Sequence, residues 1–280
     1  MLTLILTASL AMAEPAEPLP DEARLVVLGG AITETVCALG ACDRIVAADA
    51  SSTEPADVKA RASLGFHRQL SAEGVLSARP GAVLVSPDSG PPEALKQIAR
   101  AGVRVIEVPG EASAEGSLER ITFLGDLLGA KGPSQELAGQ LRTRLKAVQD
   151  RVGAAPPPRV LFIYARGGGT MMVAGRDTAA GELIRLAGGQ NAVTGYEGYK
   201  PLTAEAVVMA RPDVVLLTSG GLEVMGGERA LWQAPGLAQT PAFKDKRVVA
   251  VDDLLLLGFG PRLGEAVETV ARALHPERVR

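Results

Sequence analysis

Residues 70–85 (LSAEGVLSARPGAVLV) and 202–217 (LTAEAVVMARPDVVLL) are two copies of one pattern. In each, a hydroxyl residue suited to capping a helix N-terminus, Ser71 or Thr203, is followed two positions on by an acid, Glu73 or Glu205. That places a carboxylate in the first turn, where the positive end of the helix dipole favours it. Pro80 and Pro212 stop each helix, and an apolar run rich in β-branched residues follows, as expected of a parallel strand covered on both faces. One such helix and strand would suit any α/β protein. Two that agree position by position, one in each half, indicate two related lobes.

The ends of the chain set further expectations. Residues 1–13 (MLTLILTASLAMA) form an apolar run too short to span a bilayer and end in a small-x-small pattern, which reads as a signal peptide and implies export to the periplasm, although no charged residue precedes it. Residues 14–23 are a Pro- and acid-rich tether. No cysteine follows the leader in a position to be acylated. The formal net charge of -3, with no basic tract, argues against a nucleic-acid partner.

Between these limits the chain alternates strand and helix patterns. Residues 24–29, 44–48, 82–85 and 104–108 read as strands of an N-terminal lobe spanning 24–112. Residues 113–155 read as a connecting helical segment, and strands at 159–165, 171–175, 214–217 and 247–251 place a C-terminal lobe over 156–280. The expected fold is α/β: two lobes, each a mainly parallel sheet flanked by helices, joined by a single long helix. Gly29-Gly30 lacks the spacing of a dinucleotide-binding turn. Cys37 and Cys42 flank a helix end with Gly40 as its left-handed residue. In an oxidising compartment they can close a small local disulfide contributing on the order of 2 kcal/mol; two free thiols are the alternative. His275, in the C-terminal tail, is expected to be solvated.

The first-lobe LSAEGVLSARP, taken with AGRDTAA (174–180), EGYKPL (197–202) and DDLLLLGFGPR (252–262), resembles the haem-binding periplasmic proteins of bacterial ABC transporters, within a wider class that binds siderophores and cobalamin. The resemblance runs from about residue 24 to 274. It implies capture of haem in a cleft between lobes, delivery to an ABC permease for iron uptake, and action as a monomer. It also implies that Glu73 and Glu205 dock on arginines of that permease.

At the iron the sequence departs from the family pattern. Where relatives carry Tyr-Pro, with the tyrosine as axial ligand, this chain has Glu54-Pro55, and His67 stands where relatives more often have methionine. His67 supported by Glu54 is therefore the expected metal-binding pair, with Tyr199 or Tyr196 as fallback ligands. A porphyrin also needs flat apolar walls and cations for its two propionates. Aromatics make up only 3% of the chain, so Phe66, Tyr164, Tyr199 and Phe259 at loop edges stand out as walls. Arg68, Arg166 and Arg262 are the candidate cations. The alternative cargo is a corrinoid or ferric siderophore, whose metal arrives with its coordination largely filled. An α/β enzyme is the reading from a different class. The chain carries no G-x-S-x-G, P-loop or H-E-x-x-H pattern, so no catalytic residue is assigned.

Overall fold

The computed structural model describes residues 17–165, 167 and 171–279. The leader at 1–13 and Arg166 lie outside the described residues. The first sheet is built from β1 (Leu25–Leu28), β2 (Ile45–Ala48), β3 (Ala62–Ser63), β4 (Ala82–Val85) and β5 (Arg104–Glu107). They lie in the order β3-β2-β1-β4-β5 with every pairing parallel. The second sheet comprises β6 (Arg159–Ala165), β7 (Met171–Ala174), β8 (Gln190–Asn191), β9 (Tyr199–Pro201), β10 (Val214–Thr218) and β11 (Val248–Val251). Its order is β11-β10-β6-β7-β9, with β8 beside β6. β7 and β9 are antiparallel, and the other pairings are parallel.

The helices are α1 (Gly30–Ala38), α2 (Ala56–Lys59), α3 (Ala72–Ser77), α4 (Pro92–Arg100), α5 (Ala114–Leu127), α6 (Lys131–Val152), α7 (Ala179–Leu186), α8 (Ala204–Ala210), α9 (Ser219–Val224), α10 (Glu228–Leu231), α11 (Pro241–Lys244), α12 (Asp253–Leu257) and α13 (Leu263–Leu274). Because side chains alternate across a strand, each central strand feeds two apolar layers. Leu25 and Val27 enter one cluster and Val26 and Leu28 another. In the second lobe Val160 and Phe162 face one side and Leu161 and Ile163 the other. Continuous apolar runs therefore become strands buried between helix layers. The 22-residue α6 packs on α5 and, in the second lobe, on α13, so one helix links the two cores.

The internal repeat persists in detail. Ser71 caps α3 by accepting from the Gly74 amide at 3.3 Å, and Thr203 caps α8 by accepting from the Ala206 amide at 3.2 Å. Both copies leave the helix through an arginine in the left-handed region, Arg79 at φ 51° and Arg211 at φ 43°. Cys37 and Cys42 are joined by a disulfide around Gly40, whose φ is 84°.

Two local readings change. Residues 193–200 are not all loop: β9 begins at Tyr199 and adds an antiparallel strand to β7. His275 is not solvated. It is 2% exposed, because the tail folds back and the ring Nε2 comes within 3.1 Å of the Gly188 carbonyl.

Candidate ligand-binding cleft

The carboxyl ends of β1, β2, β4 and β5 face the loops and helix that follow β11, and between them lies a cleft of about 670 Å³. This is the edge at which α/β sheets place ligands. The first lobe supplies Gly30, Ser51, Thr53, Phe66, His67, Arg68, Ser86 and Asp88, and the second supplies Tyr164, Asp253, Leu254, Leu257 and Phe259.

His67 is the centre of the first-lobe wall. Its side chain is 9% exposed and its Nδ1 lies 2.9 Å from Asp49 Oδ2. Asp49 is fully buried and accepts in addition from the amides of Gly29 (2.8 Å) and Ser51 (3.1 Å) and from the hydroxyls of Ser51 (2.7 Å) and Ser52 (3.0 Å). Burial alone pushes this carboxyl up. The hydrogen bonds from His67, Ser51 and Gly29 outweigh it and hold the group at about 2. An ionised Asp49 only accepts, so Nδ1 carries the proton. Nε2 is then directed toward Asp88, whose Oδ1 is 3.5 Å away on the cleft wall. Burial lowers the imidazole pKa, but the bond and charge of Asp49 and the charge of Asp88 outweigh it and raise it. Asp88 is further held by the Ser86 hydroxyl (2.7 Å) and by Arg68, which also stacks over the Phe66 ring at 5.3 Å.

The structure brings together His67, Phe66, Arg68, Tyr164 and Phe259 in one cleft. Phe259 sits in the left-handed region at φ 51° with its ring buried, and its carbonyl accepts from Ser117 and Arg120, both at 2.7 Å. Four expected residues are placed elsewhere. Glu54 does not support His67. Thr53 faces the cleft, but Glu54 lines a second cavity of about 1190 Å³ with Glu34, Arg144 and Arg262. Helix α1 gives its first turn to the cleft and its later turns to that cavity. Arg262 is spent on Glu34: its Nε donates to Oε1 at 2.7 Å and its Nη2 also bonds that oxygen. This pair joins the two lobes. The Tyr196 hydroxyl donates to the Val173 carbonyl at 3.1 Å, and Lys200 lies over its ring, so it is not presented to the cleft. Tyr199 packs on Tyr164 and Phe162, with ring centroids 5.8 and 6.4 Å away. Burial pushes its phenol up to about 12, the opposite of what a phenolate ligand needs.

Asp49, Asp88, Glu34 and Arg120 were not foreseen. The DASSTE loop at 49–54 carried a signal, since Asp and Ser after a strand favour side-chain-to-backbone turns. For Arg120, within an amphipathic helix, no sequence signal existed. Among the described residues, no group of three or more His, Cys, Asp and Glu is placed to hold a bare metal ion.

Two sheet-and-helix lobes joined by one long helix, with a cleft between their strand ends, define a two-lobed ligand-binding protein. The chain belongs to the periplasmic binding protein family, whose model matches residues 25–254. It is similar to the periplasmic heme-binding protein RhuT from Roseiflexus sp. RS-1 in its apo form, with 41% identity, a TM-score of 0.86, and coverage of 91% of this chain and 98% of that one. A periplasmic heme-binding protein from Pseudomonas aeruginosa shares 36% identity and a TM-score of 0.86, covering 93% and 94%. A cobalamin-binding protein of Halobacterium salinarum is 27% identical over 90% of this chain and 69% of its own length.

Proposed function

We propose that this protein is the exported, cargo-binding subunit of a haem importer, that haem lies in the inter-lobe cleft, and that His67 Nε2 is the axial ligand to its iron. The observation that carries the proposal is the Asp49–His67 pair. A buried carboxylate fixes the proton on Nδ1 and leaves Nε2 for a metal at the cleft wall, the arrangement usual for ligating histidines. Asp88 is half exposed, so an incoming iron displaces it from Nε2 at little desolvation cost. Phe66, Tyr164, Leu254, Leu257 and Phe259 supply the apolar surface that a porphyrin needs. The heme-binding relatives at 41% and 36% identity support this cargo over a corrinoid.

Titration of the purified apo-protein with ferric haem tests it. The wild type gives a saturable Soret shift, and His67→Ala gives a band of different position and weaker binding. An unchanged band in His67→Ala removes the ligand assignment. Saturable binding of cobalamin, with none of haem, overturns the cargo.

Delivery follows from the exposed acids of the repeat. Glu73 and Glu205 stand at the second position of α3 and α8, one on each lobe, available to cationic residues of a permease. Met209, one turn beyond Glu205, is 75% exposed, which supports a contact surface on that helix. Glu73→Ala with Glu205→Ala leaves haem titration unchanged and lowers haem-dependent growth of cells carrying the importer; full growth of the double variant refutes docking. No helix among the described residues is long and apolar enough to cross a membrane. Binding and hand-over, with no chemical conversion of cargo, is the activity proposed.

A further inference from the structure

We propose that Arg120 is the anchor for a carboxylate of the cargo. The inference rests on the haem reading above and assigns the place where one propionate is held. Arg120 projects from α5 into the cleft and is 7% exposed. Its Nη1 donates to the Phe259 carbonyl at 2.7 Å and its Nη2 to the Gly110 carbonyl at 2.6 Å. A guanidinium has five N–H donors, and these two bonds use two of them. Neither partner carries a charge.

The other cleft and near-cleft arginines differ on this point. Arg68 is paired with Asp88 and Arg262 with Glu34. Among the described residues, Arg120 is the cleft arginine with no carboxylate beside its guanidinium, the nearest acid acting on it being the exposed Glu119 of its own helix. A buried cation balanced only by carbonyl dipoles retains most of its desolvation cost, and a carboxylate delivered by a ligand offsets that cost while making charge-assisted bonds. The two carbonyls also fix the guanidinium plane before cargo arrives, so little side-chain entropy is lost on binding. Gly110, at φ 121°, permits the close approach: a Cβ there would lie 2.9 Å from Arg120 Nη2.

The test compares ferric haem with its dimethyl ester, in which both propionates are uncharged, on wild type, Arg120→Gln, Arg120→Lys and Ser117→Ala. The wild type binds haem about tenfold or more tightly than the ester, in the range of a charge-assisted pair. Arg120→Gln erases the preference by weakening haem alone, and Arg120→Lys restores part of it. Ser117→Ala, which removes the other donor to the Phe259 carbonyl, keeps the preference intact. Equal wild-type affinity for haem and ester overturns the proposal without any variant. So does an Arg120→Gln protein that loses both ligands equally, which would make the residue only a clamp between lobes. A preference that persists in Arg120→Gln overturns it while leaving haem binding standing. A wild type that binds neither sinks the haem reading and this inference together.

Discussion

The two walls of the cleft descend from one repeated scaffold and differ in chemistry. The first lobe lines it with His67, Arg68, Asp88 and a hydroxyl-rich loop, all tied to the buried Asp49 or to one another. The second, among the described residues, lines it with Tyr164, Leu254, Leu257 and Phe259 and a single acid, Asp253, which accepts from the Gly220 amide at 2.9 Å. A polar wall facing an apolar one suits a flat cargo that has a metal to coordinate and a hydrocarbon surface to cover. Duplication thus preserved the frame, in the caps and left-handed arginines of α3 and α8, and left the strand-end loops free to diverge.

Breaking the polar wall at its root has the largest expected effect. Asp49→Ala leaves the amides of Gly29 and Ser51 without their acceptor and releases His67. The expected loss is about 3 kcal/mol, read as a lower urea midpoint, with weakened haem binding. The same variant alters the pH profile. Asp49 has a folded pKa depressed to about 2, so its stabilisation is complete above the unfolded value near 4 and is lost as pH falls toward 2. His67 has a raised folded pKa, so its contribution is complete below about 6.5 and is lost as pH rises through the folded value. Denaturation midpoints of Asp49→Ala should therefore vary less than wild type at both ends. An equally steep acid limb in the variant would assign it to other carboxylates.

The smallest expected effect sharpens the likeness of the lobes. Arg79→Gly and Arg211→Gly relieve the same left-handed backbone at exposed positions, and each should stabilise by about 0.5 kcal/mol after the entropy lost by glycine on folding. Thermal melts showing opposite signs in the two lobes would mean that the repeat shares sequence but not energetics.

What was legible in the sequence follows the range of the interactions. The strands at 82–85 and 214–217, the caps Ser71 and Thr203, and the stops at Pro80 and Pro212 are local, and local pattern revealed them. His67 was legible as a cleft residue, but its partners lie 18 and 21 positions away in loops that only the sheet order brings together. β9 is a three-residue strand whose identity depends on β7. Arg262 looked like a cation available to cargo because its partner, Glu34, is 228 positions away on the other lobe. Arg120 meets Phe259 across 139 positions by bonding to backbone, which leaves no trace in side-chain identity.

That last contact separates two duties that one residue could otherwise confuse. The link from α5 to the second lobe runs through the peptide oxygen at position 259, while the ring at that position faces the cargo. Any residue able to hold the left-handed turn supplies the same oxygen. The cargo-facing surface can therefore be resculpted by substitution at 259 while the seam between the lobes keeps its bonds, which gives a family with many cargoes a way to change what it carries without rebuilding how it closes.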